Sequence, residues 1–199
     1  LDELTQAIDR LVATTPAATD RGRPRLWVDR SFAPRGAGTV VTGTLSDGAL
    51  ALDDEVVLLP GAIPARIRGL QTLHRSVTHL GPGHRVAVNL SGVDHGRVRR
   101  GDVVVTPDRW HRSATVDAHL AVLASLDHDL SRRGAHVVHL GSGEFPVRVR
   151  VLGREAIAPG THGSVRLHLP HPLPLLPGDR FVLRESGRGE TIGGGEVLD

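Results

Sequence analysis

The stretch RLWVDRSFAPRGAGTVVTGTL, Arg25 to Leu45, decides the fold. It holds two short runs, Leu26–Phe32 and Gly38–Leu45, on either side of the turn signal Pro34-Arg35-Gly36. β-branched and aromatic residues suit strands, and Pro and Gly punctuate them, so the reading is strand, tight turn, strand. The same texture continues outward through Glu55–Leu59, Ala65–Leu73, Arg85–Leu90 and Asp102–Thr106. Between these runs lie Ser46-Asp47-Gly48, Pro60-Gly61, Gly81-Pro82-Gly83 and Asp94-His95-Gly96. In Ala65-Arg66-Ile67-Arg68 the arginines share one face of a strand and the apolar residues the other. Short strands at regular spacing, with turns of this kind, predict an antiparallel barrel or sandwich.

Thr106-Pro107-Asp108 marks a boundary, and a second set of strands follows it: Ala114–Leu123, Ala135–Leu140, Glu144–Leu152, Ser164–Leu169 and Arg180–Glu185. Proline donates no ladder hydrogen bond, so Leu169-Pro170-His171-Pro172-Leu173-Pro174 is expected as a sheet edge or an extended connector. At the other end, Leu1, Leu4, Ile8, Leu11 and Val12 fall on one face of a helix over Leu1–Ala13. The organisation read here is all-β: two consecutive antiparallel β-barrels, at 21–107 and 108–199, preceded by a short helix and linker at 1–20.

Aromatic residues make up only 3% of the chain, so both cores are expected to be built from Val, Leu, Ile and Ala. There is no cysteine, which excludes disulfides and thiolate metal sites. No apolar run approaches the roughly 20 residues that span a bilayer, and no signal-peptide pattern is present. The chain begins with Leu1 and is read as an excised cytoplasmic piece with no membrane role. Its isoelectric point is about 10.6, yet its net charge is only +2. It contains no lysine, so the high value mostly reports late-titrating arginine. Any claim of nucleic-acid binding must rest on where the arginines sit.

Arg25–Leu45 resembles the start of the second domain of the elongation factor Tu superfamily of translation GTPases. In that family glycines turn the chain tightly between two barrel strands, and Gly36 and Gly38 fit the pattern. LGPGHRVAVNLSG (Leu80 to Gly92) and RRGDVVV (Arg99 to Val105) occupy the matching later places. DRFVLRESGRGETIGGGEVLD (Asp179 to Asp199) looks like the last strands of the family's third domain. Val28-Asp29-Arg30, the pair His84-Arg85 and the Thr191–Gly195 close resemble the selenocysteine-specific branch. The resemblance implies that the helix at 1–13 ends a nucleotide domain otherwise outside this chain. No phosphate-binding Gly-x-x-x-x-Gly-Lys loop occurs, so no catalytic residue and no cofactor is expected here. GTP and Mg²⁺ belong to the parent protein.

The resemblance also implies a chemistry. Selenocysteinyl-tRNA differs from its precursor seryl-tRNA at one atom. A selenol is far more acidic than a hydroxyl, so at neutral pH it is an anion. Arg30 and Arg85 would supply fixed positive charge in the aminoacyl pocket, Asp29 would orient an arginine or accept from the α-amino group, and His84 would add a donor. The plainer reading of such an Asp-Arg pair is a solvent-facing salt bridge worth little. Arg184, Arg188 and Thr191 are the expected contacts to the T-arm of tRNA, on phosphate or ribose. Arginine is also the default solubilising residue of a chain without lysine. The expected partners are selenocysteinyl-tRNA and the ribosome, bound by a monomer. The alternatives are a general or initiator tRNA carrier, or a regulatory GTPase subunit whose barrels make only protein contacts. A generic single-strand binder fits poorly, because such proteins stack bases on aromatic platforms. His136 and His139 fall on opposite faces of one strand, and no histidine spacing suits zinc, so no metal site is expected.

Overall fold

The structure is a computed structural model that describes residues 2–36 and 38–199. Helix α1 (Asp2–Thr14) matches the expected helix, with Leu1 outside the described residues. None of its residues is buried, and Leu4, Ile8, Leu11 and Val12 are all exposed. Its amphipathic stripe is uncovered.

The first barrel is built from β1 (Arg25–Phe32), β2 (Thr39–Ser46), β3 (Leu50–Ala51), β4 (Glu55–Leu59), β5 (Ile63–Thr72), β6 (Arg75–Val77), β7 (His79–Leu80), β8 (Arg85–Ser91) and β9 (Val103–Val105). The strands run in the order β4-β9-β1-β2-β8-β5, and β4 pairs back onto β5 to close the ring. Gly36 and Gly38 in the β1–β2 turn have φ of 79° and 75°, the left-handed region that glycine enters cheaply. On β5 the alternation is as expected: Ala65 and Ile67 point inward, Arg66 and Arg68 outward. That strand ends one residue early, because Leu73 turns at φ 48° with its side chain in solvent. The core is aliphatic, centred on Leu26, Leu45, Leu58, Ile67 and Leu90. Burying each such side chain contributes about 1.5–3 kcal/mol.

The second barrel comprises β10 (Ser113–Val122), β11 (Leu130–Ser131), β12 (His136–Leu140), β13 (Gly143–Val151), β14 (Ala156–Ile157), β15 (His162–Leu173), β16 (Arg180–Glu185) and β17 (Glu190–Val197). It closes in the order β10-β15-β13-β12-β16-β17. Its core admits Phe145 and Phe181 among the aliphatics, a departure from the expected composition. The proline-rich run is extended at a sheet edge as expected, with β15 continuing through Pro170 and Pro172 to Leu173. Pairing with β13 stops at His168, and β10 follows only by a register shift that brings Ser113 opposite Leu173. The prolines sit where the ladder is already broken, so their missing N–H groups cost little.

Strand β1 joins the barrels. Leu26 and Val28 point into the first core, while Arg25 and Trp27 point toward the second barrel. Trp27 packs at 6.3 Å from the Phe145 ring, and a Cβ on Gly141 would lie 2.3 Å from the indole, so only glycine fits there. Arg25 is buried and donates to Asp179 at 2.5 and 2.7 Å, to Asp47 at 3.0 Å and to the Pro174 carbonyl at 2.8 Å. The connector folds back so that Trp110 lies 4.9 Å from the Arg25 guanidinium. Burial opposes the Arg25 charge, but Asp179 and Asp47 outweigh it and hold its pKa above the ordinary value. Ser142 of the second barrel adds a hydrogen bond of 2.6 Å to the Val28 carbonyl.

Candidate functional site

Strands β1, β2 and β8 lie side by side. Register on β1 shifts after Val28: Val28 faces Gly43, Arg30 faces Thr42, and Asp29 between them is the extra residue of a β-bulge. Alternation alone would aim Arg30 into the core with Leu26 and Val28. The bulge instead leaves Arg30 exposed and Asp29 half-buried on the outer side. Gly43 makes this crossing possible, since a Cβ there would come within 2.2 Å of the Trp27 carbonyl oxygen.

The Asp29 carboxylate reaches across β2. Arg85 on β8 donates to it from both Nη atoms, at 2.5 and 3.0 Å, and the Thr42 hydroxyl donates at 2.6 Å. Partial burial raises the Asp29 pKa, but the hydrogen bonds from Arg85 and Thr42 and the charges of Arg85 and Arg30 outweigh it and hold the carboxyl below its usual range. The same pairing raises the Arg85 pKa. Arg30 acts on Asp29 through its charge, and its guanidinium makes no hydrogen bond or ion pair among the described residues. His84 turns away: its Nδ1 lies 3.2 Å from the carbonyl oxygens of Gly81 and Pro82 in its own turn. Of the four residues expected in the pocket, the structure thus joins Asp29 with Arg85, sets Arg30 beside them and leaves His84 apart. Among the described residues, the main hollows, of about 190–590 Å³, are lined by residues other than Asp29, Arg30 and Arg85. Arg30 and Arg85 are exposed to solvent, with Asp29 half-buried between them.

On the second barrel, Arg184 pairs across the β16–β17 hairpin with Thr191 and donates to the Gly189 carbonyl. It closes its own hairpin. Arg188 at the tip is exposed and reaches Asp127 at 3.2 Å, beside His128. His128 Nε2 in turn lies 3.3 Å from Glu185 Oε2, off the hydrogen-bonding direction. The loop carrying Asp127 and His128 continues into Arg132 and Arg133. These two arginines join Arg150 and Arg154 around a hollow of about 590 Å³, in which Glu155 is the acidic lining residue. Arg148 and Arg150 share the outer face of β13 as their spacing predicts. The gathering of Arg132, Arg133 and Arg154 around Arg150 was not legible, because it depends on two loops meeting.

Among the described residues no helix is long and apolar enough to cross a membrane, and no group of three His, Asp or Glu side chains is placed to hold a metal ion. Residues 38–105 match the family Elongation factor Tu domain 2, and residues 116–199 match Selenocysteine-specific elongation factor, beta-barrel domain. A selenocysteine-specific elongation factor of Desulfomicrobium baculatum is 33% identical over the whole chain, which spans 31% of that relative. Elongation factor Tu 2 of Streptomyces avermitilis is 31% identical over 99% of the chain, which spans 51% of it. Among solved structures, a bacterial selenocysteine-specific elongation factor EF-Sec superposes with a TM-score of 0.83 at 26% identity, covering 98% of this chain and 31% of that one. The chain therefore belongs to the translation elongation factors, and joins a domain 2 barrel of the elongation factor Tu type to the β-barrel domain of the selenocysteine-specific branch.

Proposed function

We propose that these barrels hold the aminoacylated end of selenocysteinyl-tRNA within a GTP-dependent factor that delivers it to the ribosome. The observation that carries this reading is the outer face of β1, β2 and β8, where one fixed carboxylate holds Arg85 and leaves Arg30 with free donors. A selenolate is attracted to such a face by its full negative charge, and its hydrogen bonds to guanidinium join two ions. A seryl hydroxyl offers no charge and gains less. Arg30 and Arg85 are exposed on this face, and a nucleotide domain closing over it with GTP and Mg²⁺ bound would enclose them. Thr191, Arg188 and the Arg132–Arg154 hollow form the second half of the grip, placed for phosphates and riboses of the tRNA arm. The protein acts as a monomer in the cytoplasm.

The test restores a nucleotide domain and measures affinity for selenocysteinyl-tRNA and seryl-tRNA with GTP. Preference for the selenium substrate is the expected result. Equal affinities would instead mark a general tRNA carrier, and no RNA binding would mark barrels that serve protein contacts.

A further inference from the structure

Asp29 has two cations within its field, Arg30 next to it in the chain and Arg85 two strands away. Proximity along the chain does not decide between them. Adjacent strands lie about 4.8 Å apart, so the span from β1 to β8 is about twice that, long for the shortest acidic side chain. Thr42 stands on the strand between. Its hydroxyl donates to Asp29 Oδ1 at 2.6 Å. With one carboxylate oxygen pinned over β2, both oxygens face the Nη atoms of Arg85.

We infer that Thr42 is a positioning residue that commits the single carboxylate of the site to Arg85 and so keeps the Arg30 guanidinium free of a hydrogen-bonded partner. The functional half of this inference rests on the pocket reading above; the geometric half does not. Arg85 is bound end-on through its two Nη atoms, and its Nε–H has no partner among the described residues. The Arg30 guanidinium has no hydrogen-bond or ion-pair partner among the described residues. An anion arriving at the face therefore meets one held and one unspent guanidinium. Without the Thr42 hydroxyl the carboxylate turns between the two arginines, and neither is held.

The test has two arms. In the 199-residue chain, NMR follows rotation of the Arg85 guanidinium and titration of the Asp29 carboxyl. Thr42→Val and Thr42→Ala are expected to free the Arg85 rotation and move the Asp29 titration upward, while Thr42→Ser keeps both as they are. Unchanged signals in Thr42→Val and Thr42→Ala overturn the inference, whatever the pocket binds. In the factor with its nucleotide domain, Thr42→Val is expected to cut the ratio of selenocysteinyl- to seryl-tRNA affinity about fivefold, with Thr42→Ser restoring it. If the NMR signals move and the ratio does not, the role of Thr42 stands and the selenocysteine pocket falls.

Discussion

The two barrels present arginine in opposite ways. On the first, Asp29 and Thr42 fix Arg85 in a defined place, and a bulge sets Arg30 beside it. On the second, Arg132, Arg133, Arg150 and Arg154 crowd one hollow with a single acid in its lining. Fixed geometry suits the reading of one functional group, because a misplaced ligand loses directional hydrogen bonds. A crowd of long cations suits phosphates, which need charge nearby and tolerate approximate placement. Under the proposed function, the first barrel would supply discrimination and the second grip.

The largest effect concerns what joins them. Arg25→Ala removes the cation between Asp47 and Asp179, all three largely buried, and is expected to cost about 3–5 kcal/mol in urea unfolding. If it costs less than about 1 kcal/mol, the barrels are not held by this cluster. Acid probes the same seam. Burial raises the Asp47 pKa, but Ser46, Arg25 and Arg21 outweigh it, so its folded-state pKa is depressed. A depressed carboxyl contributes stability above its unfolded pKa of about 3.9 and loses it as pH falls through the folded value. Urea stability should therefore hold from neutral pH down to about pH 5, then decline below about pH 4, and Asp47→Asn should flatten that decline.

Next comes Gly43→Ala, which puts a methyl against the Trp27 carbonyl and is expected to destabilise the first barrel by roughly 2–3 kcal/mol and open the Asp29 bulge. Smaller effects separate the two arginine arrangements. Arg85→Ala should erase the preference for selenocysteinyl-tRNA, a change of about tenfold or 1.4 kcal/mol, while Arg188→Ala weakens both substrates alike. If Arg85→Ala leaves the ratio unchanged, the pocket assignment is wrong. Smallest is Arg150→Gln, which should lower the salt dependence of tRNA binding by about one phosphate contact and leave the selectivity ratio intact.

The strand order of neither barrel was legible, but their existence was, because alternation, turn residues and family motifs agreed along the chain. The Asp29 bulge escaped notice because Leu26–Phe32 reads as one uninterrupted strand and a bulge leaves no mark in composition. Thr42 escaped with it: an outward threonine on a strand is ordinary until a carboxylate is seen crossing above it. His84 was placed by its neighbour Arg85 in a motif, whereas its ring is fixed by the turn that precedes it. The prolines of β15 were legible as an edge, because a residue without a ladder donor is tolerated only where the ladder is broken.

One face of one strand carries both Trp27, packed against the neighbouring barrel, and Asp29, two residues further on, which holds Arg85. The barrels are therefore not interchangeable modules. A chimaera that exchanges the second barrel for that of another translation factor replaces the surface on which Trp27 rests, and with it the footing of the residues proposed to sense selenium. Grafting amino-acid preference onto a new factor requires moving the seam as well as the pocket.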